Sequence, residues 1–146
     1  MSPITLPEST HRLFDTGNHV VLVTLDADGS PQASLVWAER DGDQVLIGME
    51  GYQRKADNLR RDNRVTLVLE DDQPSRRGLT QYLVLRGTVE VEGPGIPEKW
   101  AALMDKQSQR YLGKDFPFEN RFTPTGVIAR MTPEKLTGEG PWAARG

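Results

Sequence analysis

Residues 19–50 read "HVVLVTLDADGSPQASLVWAERDGDQVLIGME", and the punctuation of this stretch decides the fold. Three runs rich in β-branched and other apolar residues, 19–26, 31–39 and 43–50, are separated by "DADGS" and "DGD". Asp28-Gly29 and Asp41-Gly42 supply the positive backbone φ that tight hairpin turns demand, so the stretch predicts a three-stranded antiparallel meander.

The flanking segments change period. Residues 8–16, "ESTHRLFDT", predict a short helix with Leu13 and Phe14 as apolar contacts and Gly17 closing it. Over 52–62, Tyr52, Ala56 and Leu59 recur at helical spacing, while Arg54, Asn58 and Arg61 repeat that spacing on another face. Residues 64–71 return to strand, and "DQPSRRG" reads as a polar loop. A long strand follows over 79–93, with Leu83, Leu85, Gly87, Val89 and Val91 on one face and Tyr82, Val84, Arg86, Thr88 and Glu90 on the other. Residues 95–113 predict the longest helix, with Ile96, Trp100, Leu103, Gln107 and Tyr111 inward, Pro97 in its first turn and Gly113 as its cap. Residues 125–140 form a last strand before the tail "PWAARG". This order predicts a mainly β protein, a closed antiparallel barrel with flanking helices, in one domain over 1–146. Strands 20–25 and 65–69 are apolar on both faces, which calls for a cover over the outer face and points to a homodimer.

Composition narrows the chemistry. The chain has 146 residues, a net charge of −3, no cysteine and only His11 and His19 as histidines. Disulfides, thiolate metal sites and cysteine nucleophiles are excluded, and a metal site is not expected. No apolar run approaches the ~20 residues of a membrane span, and "MSPITLPEST" lacks the pattern of a signal peptide, so a cytoplasmic protein without membrane association is expected. No G-x-S-x-G, Walker or G-x-G-x-x-G motif occurs. No catalytic residue can be assigned, and side chains so poor in acid, base and nucleophile fit a borrowed cofactor.

The segment "RKADNLRRDNRV", residues 54–65, sets Arg54, Lys55, Arg60, Arg61 and Arg64 against Asp57 and Asp62. A solvated helix face, a nucleic-acid contact and a phosphate site are the three readings of such a run. An acidic chain with a pI near 5.4 and no wider basic surface argues against nucleic acid. Position favours a phosphate: Arg54 and Lys55 stand at the start of a helix, where free N–H groups and the helix dipole already attract an anion. Gly51 before them allows a tight turn.

This segment, with "LVTLDADGSPQASLVWAERDGDQVLIG", "QYLVLRGTVEVE" and "VIARMTPEKLTGEGPW", resembles the flavin and deazaflavin oxidoreductases built on the pyridoxamine-phosphate-oxidase split barrel. The resemblance implies an oxidoreductase that passes hydride between coenzyme F420 and an electron-poor small organic substrate. FMN is the alternative cofactor; a non-catalytic flavin-binding module and a purely structural dimer are the rival classes. It also implies that Arg54 and Lys55 hold the cofactor phosphate, that Asn58 faces the same site, and that Leu35, Val36 and Trp37 run beside the ring. Met49 lies near the ring or sugar chain, and Gln81, Tyr82 and Trp142 reach in from the partner subunit. Trp37, Tyr82 and Trp142 each also have a reading as packing residues. Arg60, Arg61 or Lys114 would meet the acidic tail of F420. Glu50 departs from the small hydroxyl residues of the family near this point. True pyridoxamine-phosphate oxidase activity is not expected, because it calls for further Arg and His residues and the later half of the chain has no histidine.

Overall fold

The computed structural model describes residues 2–143. Its elements run α1 (Glu8–Asp15), β1 (Val20–Leu25), β2 (Pro31–Val36), β3 (Glu39–Asp41), β4 (Gln44–Glu50), α2 (Arg54–Arg61), β5 (Arg64–Pro74), β6 (Thr80–Glu92), α3 (Pro97–Leu112) and β7 (Gly126–Glu139). All seven strands belong to one sheet in the order β2-β1-β5-β6-β7-β4-β3, and every pairing is antiparallel. Both expected turns form, exposed and tight, with Gly29 at φ +86° and Gly42 at φ +61°.

The meander itself is corrected. The strand expected over 31–39 stops at Val36, and β3 begins again at Glu39 with β4 as its partner. The β1–β2 and β3–β4 hairpins therefore lie at opposite ends of the strand order, joined only by Trp37 and Ala38. Two residues span no more than about 10 Å, whereas seven strands laid flat would be about 29 Å wide at ~4.8 Å spacing. The sheet must curl until its ends nearly meet, which makes a split barrel. The backbone at the break is claimed by α3: Arg110 donates to the Ala38 carbonyl, and the Tyr111 hydroxyl lies 3.5 Å from the Ala38 N–H.

Inward residues fill the barrel in the alternating pattern of strands, among them Leu22, Ile47, Leu67, Leu69, Leu83, Leu85 and Met131, all fully buried. Leu13 and Phe14 of α1 and Ala56 and Leu59 of α2 join the same core. The two faces of β6 divide as its sequence predicts. Other boundaries differ. The helix expected over 52–62 starts at Arg54, leaving Tyr52 outside it and 73% exposed. β5 continues to Pro74, into the segment read as loop. α1 ends in an extended Thr16, and Gly17 serves instead as a close approach to the Arg110 carbonyl. Gly113 caps α3 as expected, at φ +76°.

The outer surface of the barrel is covered unevenly. α3 packs Trp100, Leu103 and Met104 with Leu46 and Ile128 on the outer side of β4 and β7. Across β2, β1, β5 and β6, the register aligns Leu35, Val21, Val68 and Val84 in one outward row. Leu35 is 66% exposed and the three valines are half-buried. Among the described residues no helix is long and apolar enough to cross a membrane.

Candidate functional site

A cavity of about 260 Å³ opens where the end of β2, the end of β4, the start of α2 and the flank of α3 converge. Leu35, Val36 and Trp37 line one side, Gly48, Met49 and Glu50 another. Gln53 and Lys55 close the α2 end; Trp100, Met104, Phe116, Phe118 and Asn120 complete the wall. The fold brings these together because β4 must deliver α2 next to the barrel split, where α3 and the loop after it are packed.

The apolar part is aromatic and rigid. Trp37 stacks on Tyr111 with ring centroids 5.2 Å apart, and Phe116 meets Trp37, Trp100 and Phe118 edge-on at 6.0, 5.7 and 4.9 Å. The Trp100 indole N–H is shared between the Met49 and Val127 carbonyls, 3.2 Å from each. Gly126 makes room for that ring, since a Cβ there would lie 2.7 Å from it. Flat apolar walls of this kind suit a planar conjugated ligand.

The polar end is built on α2. No side chain caps this helix; the Gln53 side chain instead accepts from the Glu50 N–H at 3.1 Å. The Ala56 N–H already donates to the Gln53 carbonyl, which leaves the Arg54 and Lys55 N–H groups for an outside anion. Lys55 is half-buried on the cavity wall with no hydrogen-bond or ion-pair partner among the described residues. Burial pushes its pKa below the usual lysine value, as expected for an ammonium deprived of water and given no counter-charge. Arg54 differs: its side chain is 72% exposed and sits 3.3 Å from Asp26.

The Glu50 carboxylate is buried and held by three donors. Thr123 and Thr125 hydroxyls donate to Oε1 at 3.0 and 2.8 Å, and the Asn120 amide donates to Oε2 at 3.0 Å. These bonds tie the loop that carries Phe116 and Phe118 to the end of β4.

Of the residues expected at a site, the cavity gathers Leu35, Val36, Trp37, Met49 and Lys55, with Arg54 beside it at the helix start. Asn58 is buried and does not line it. Its amide donates to Thr24 at 3.0 Å and Asp26 at 2.9 Å and its oxygen accepts from Arg61, so it fastens α2 to β1. Gln81, Tyr82 and Trp142 lie elsewhere in the protomer: Gln81 donates to Asp71, and the Trp142 indole donates to the Tyr82 carbonyl. Arg60 is tied to the Gly51 carbonyl and Arg61 to the Leu25 carbonyl, while Lys114 is exposed in the loop after α3. Sequence reading missed Trp100, Met104, Phe116, Phe118 and Gln53. The clustering of Phe116 and Phe118 in a loop, where no core periodicity explains them, was the one available signal.

A second cavity, about 450 Å³, lies along the outer face between Val23, Leu25, Thr66 and Thr88, with Arg64, Arg86 and Glu134 at its edges. It has no aromatic wall, and Arg64 is already paired with Asp62 at 2.7 Å.

Comparison with known proteins places these features. The sequence matches the pyridoxamine 5'-phosphate oxidase family over residues 6–138. No curated protein matches it. Among solved structures, an F420 reductase superposes with a TM-score of 0.71 at 23% identity, covering 90% of this chain and 98% of that one. A conserved hypothetical protein from Mycobacterium tuberculosis gives 0.72 at 20% identity, covering 93% and 85%. The heme storage protein from Vibrio cholerae gives 0.66 at 17% identity, covering 94% and 96%. At these identities the likeness is one of fold.

Proposed function

The chain belongs to the pyridoxamine 5'-phosphate oxidase family, and from that premise we propose that it is an oxidoreductase using a flavin-type cofactor, F420 in preference to FMN, in a site completed by a second copy of the chain. One observation carries this reading. The half-buried Lys55, without a partner among the described residues, stands at the uncapped start of α2, on the wall of an aromatic cavity. An amine so placed lacks an anion, and the walls offer flat apolar surface beside it.

The residues divide the work. Lys55 and the first N–H groups of α2 would hold the cofactor phosphate, with Arg54 adding charge at the rim. Trp37, Met49 and Phe116 would flank the ring and keep water from it. When bound, a deazaflavin or flavin supplies hydride transfer, which the chain's own side chains cannot. Sharing a fold with both an F420 reductase and a heme storage protein does not choose between their ligands. The lining does favour a flavin over heme, since no histidine or cysteine is part of it.

The cavity is smaller than the ~300–1,000 Å³ of typical ligand sites. Leu35 belongs both to this cavity and to the outward row Leu35–Val21–Val68–Val84, so a copy docked on that row would extend the cavity wall. Tyr82, 41% exposed, is then the residue a partner would bring, while Gln81 and Trp142 are buried in their own protomer behind it. Titration of the purified protein with F420 and with FMN, followed by calorimetry, tests the reading. Saturable binding of F420 at micromolar concentration or tighter is expected, with weaker binding of FMN; binding of neither would sink it.

A further inference from the structure

Glu50 shares its cavity with Lys55, and the two charges differ in how they are satisfied. The carboxylate is fully engaged by neutral donors, Thr123, Thr125 and Asn120, and has no cationic partner among the described residues. The ammonium of Lys55 has no partner there at all. Arg54, at the rim, is balanced by Asp26. The cavity therefore offers one free positive charge and keeps one fixed negative charge. A volume of 260 Å³ is roughly 8 Å across if spherical, within one Debye length at physiological salt, so any anion bound there feels both.

Resting on the cofactor reading above, we propose that Glu50 is a specificity-determining residue that restricts the site to a singly charged phosphate, a phosphodiester, over a doubly charged phosphate monoester. A diester carries one negative charge and is neutralised by Lys55. A monoester carries close to two at neutral pH; its second charge exceeds what Lys55 neutralises and is repelled by the Glu50 carboxylate, with only the α2 N–H dipoles and the Asp26-paired Arg54 at the rim to offset that repulsion. In a half-buried site, an uncompensated unit charge several ångströms from a carboxylate costs about tenfold in affinity or more. The carboxylate cannot turn away from the incoming charge without releasing the 120–125 segment that its hydrogen bonds hold. F420 is joined to its tail through a phosphodiester and FMN ends in a monoester, so Glu50 would act directly on the choice between them.

Two flavins that differ only in this charge make the test: FMN and riboflavin 5'-methylphosphate, its monoanionic methyl ester. Each is titrated at pH 7.5 into the wild type and into Glu50→Gln, with F420 titrated alongside. The wild type should bind the methyl ester about tenfold tighter than FMN, and Glu50→Gln should bring the two within about threefold. Glu50→Gln keeps the shape and one acceptor oxygen, enough for the Thr123 and Thr125 hydroxyls but not also for the Asn120 amide, and thermal denaturation of the variant reports whether the loop is still held. Equal affinities in the wild type, or a gap that survives in a folded Glu50→Gln, overturns the charge rule while leaving the cofactor reading in place. Failure of F420 and both flavins to bind the wild type removes the cofactor reading and this inference together.

Discussion

Lys55 and Arg54 are adjacent cations of the same helix turn, and burial separates their roles. Lys55 has lost part of its water and gained no counter-ion among the described residues, so an arriving phosphate would restore what folding removed. Arg54 keeps its water and already has Asp26, so the same phosphate must compete with both. Charge-assisted hydrogen bonds contribute on the order of 1.5–3 kcal/mol, so Lys55→Ala should weaken cofactor binding by about 10- to 100-fold. Arg54→Ala should cost less than about fivefold, and Arg64→Ala, whose guanidinium is paired with Asp62 on an exposed surface, should change nothing measurable. Calorimetric titration of the three variants checks this ranking; equal losses for Lys55→Ala and Arg64→Ala would return the cluster to a solvated face. The charge pattern of "RKADNLRRDNRV" put both cations at a helix start, and that much was legible. Which one is buried was not, because burial depends on α3 and its following loop, far away in sequence. The same holds for Asn58, which helical spacing aligned with Arg54 and Arg61 but whose amide is consumed by Thr24 on β1 and Asp26 just after it.

At the scale of elements, α3 fixes both the split of the barrel and the floor of the cavity, and two glycines admit it. A Cβ on Gly126 would lie 2.7 Å from the Trp100 ring, whereas one on Gly48 would lie 2.6 Å from the Met104 sulfur. An indole held by two carbonyls cannot move; the end of a methionine can. Gly126→Ala should therefore destabilise the fold by about 1–3 kcal/mol, and Gly48→Ala distinctly less. Denaturant unfolding of both variants measures the difference, and equal losses would mean that Trp100 is not locked. α1 is attached differently. Arg12 forms a two-pronged ion pair with the buried Asp71 of β5, and Gln81 of β6 donates to the same carboxylate at 2.9 Å. The Arg12 hydrogen bond holds the Asp71 pKa down to about 2, against an ordinary 3.8. A carboxyl depressed on folding stabilises the protein above its unfolded pKa, and that contribution is lost as pH falls from about 4 toward 2. With the Arg12 guanidinium partly in solvent, it is on the order of 1–2 kcal/mol. Asp71→Asn should flatten this acid limb in a series of unfolding curves between pH 5 and 2; an unchanged limb would place the sensitivity elsewhere.

The whole molecule shows how far a sequence pattern reaches. Hairpin turns and the strand and helix periods are local, so the three helices were legible from apolar spacing and the strands from "DADGS", "DGD" and alternation, except that β2 and β3 read as one. The strand order was not: nothing in residues 31–39 says that the chain leaves one end of the sheet at Val36 and joins the other at Glu39. That switch is imposed by Arg110 and Tyr111, which sit more than 70 residues away. The aromatic wall escaped for the same reason.

Coverage of the outer face leads to the last expectation. α3 shields β4 and β7, but the row Leu35–Val21–Val68–Val84 faces outward with apolar side chains that remain in part exposed. If a second copy covers that row, the interface should exceed about 1,000 Å², and light scattering should report a dimer at micromolar concentration. Val68→Glu places a charge at the centre of the row, where the half-buried valine still touches solvent in a single chain, so the protomer can fold while the dimer pays for an unpaired buried charge. The variant should be a folded monomer by circular dichroism and scattering. Because Leu35 links the row to the cavity, and because Tyr82 lies exposed outside the cavity of its own chain, the monomer should also bind F420 at least tenfold more weakly. A folded Val68→Glu monomer that binds F420 as tightly as the wild type would mean that one chain holds the complete site, and the partner would then add stability without adding residues to the chemistry.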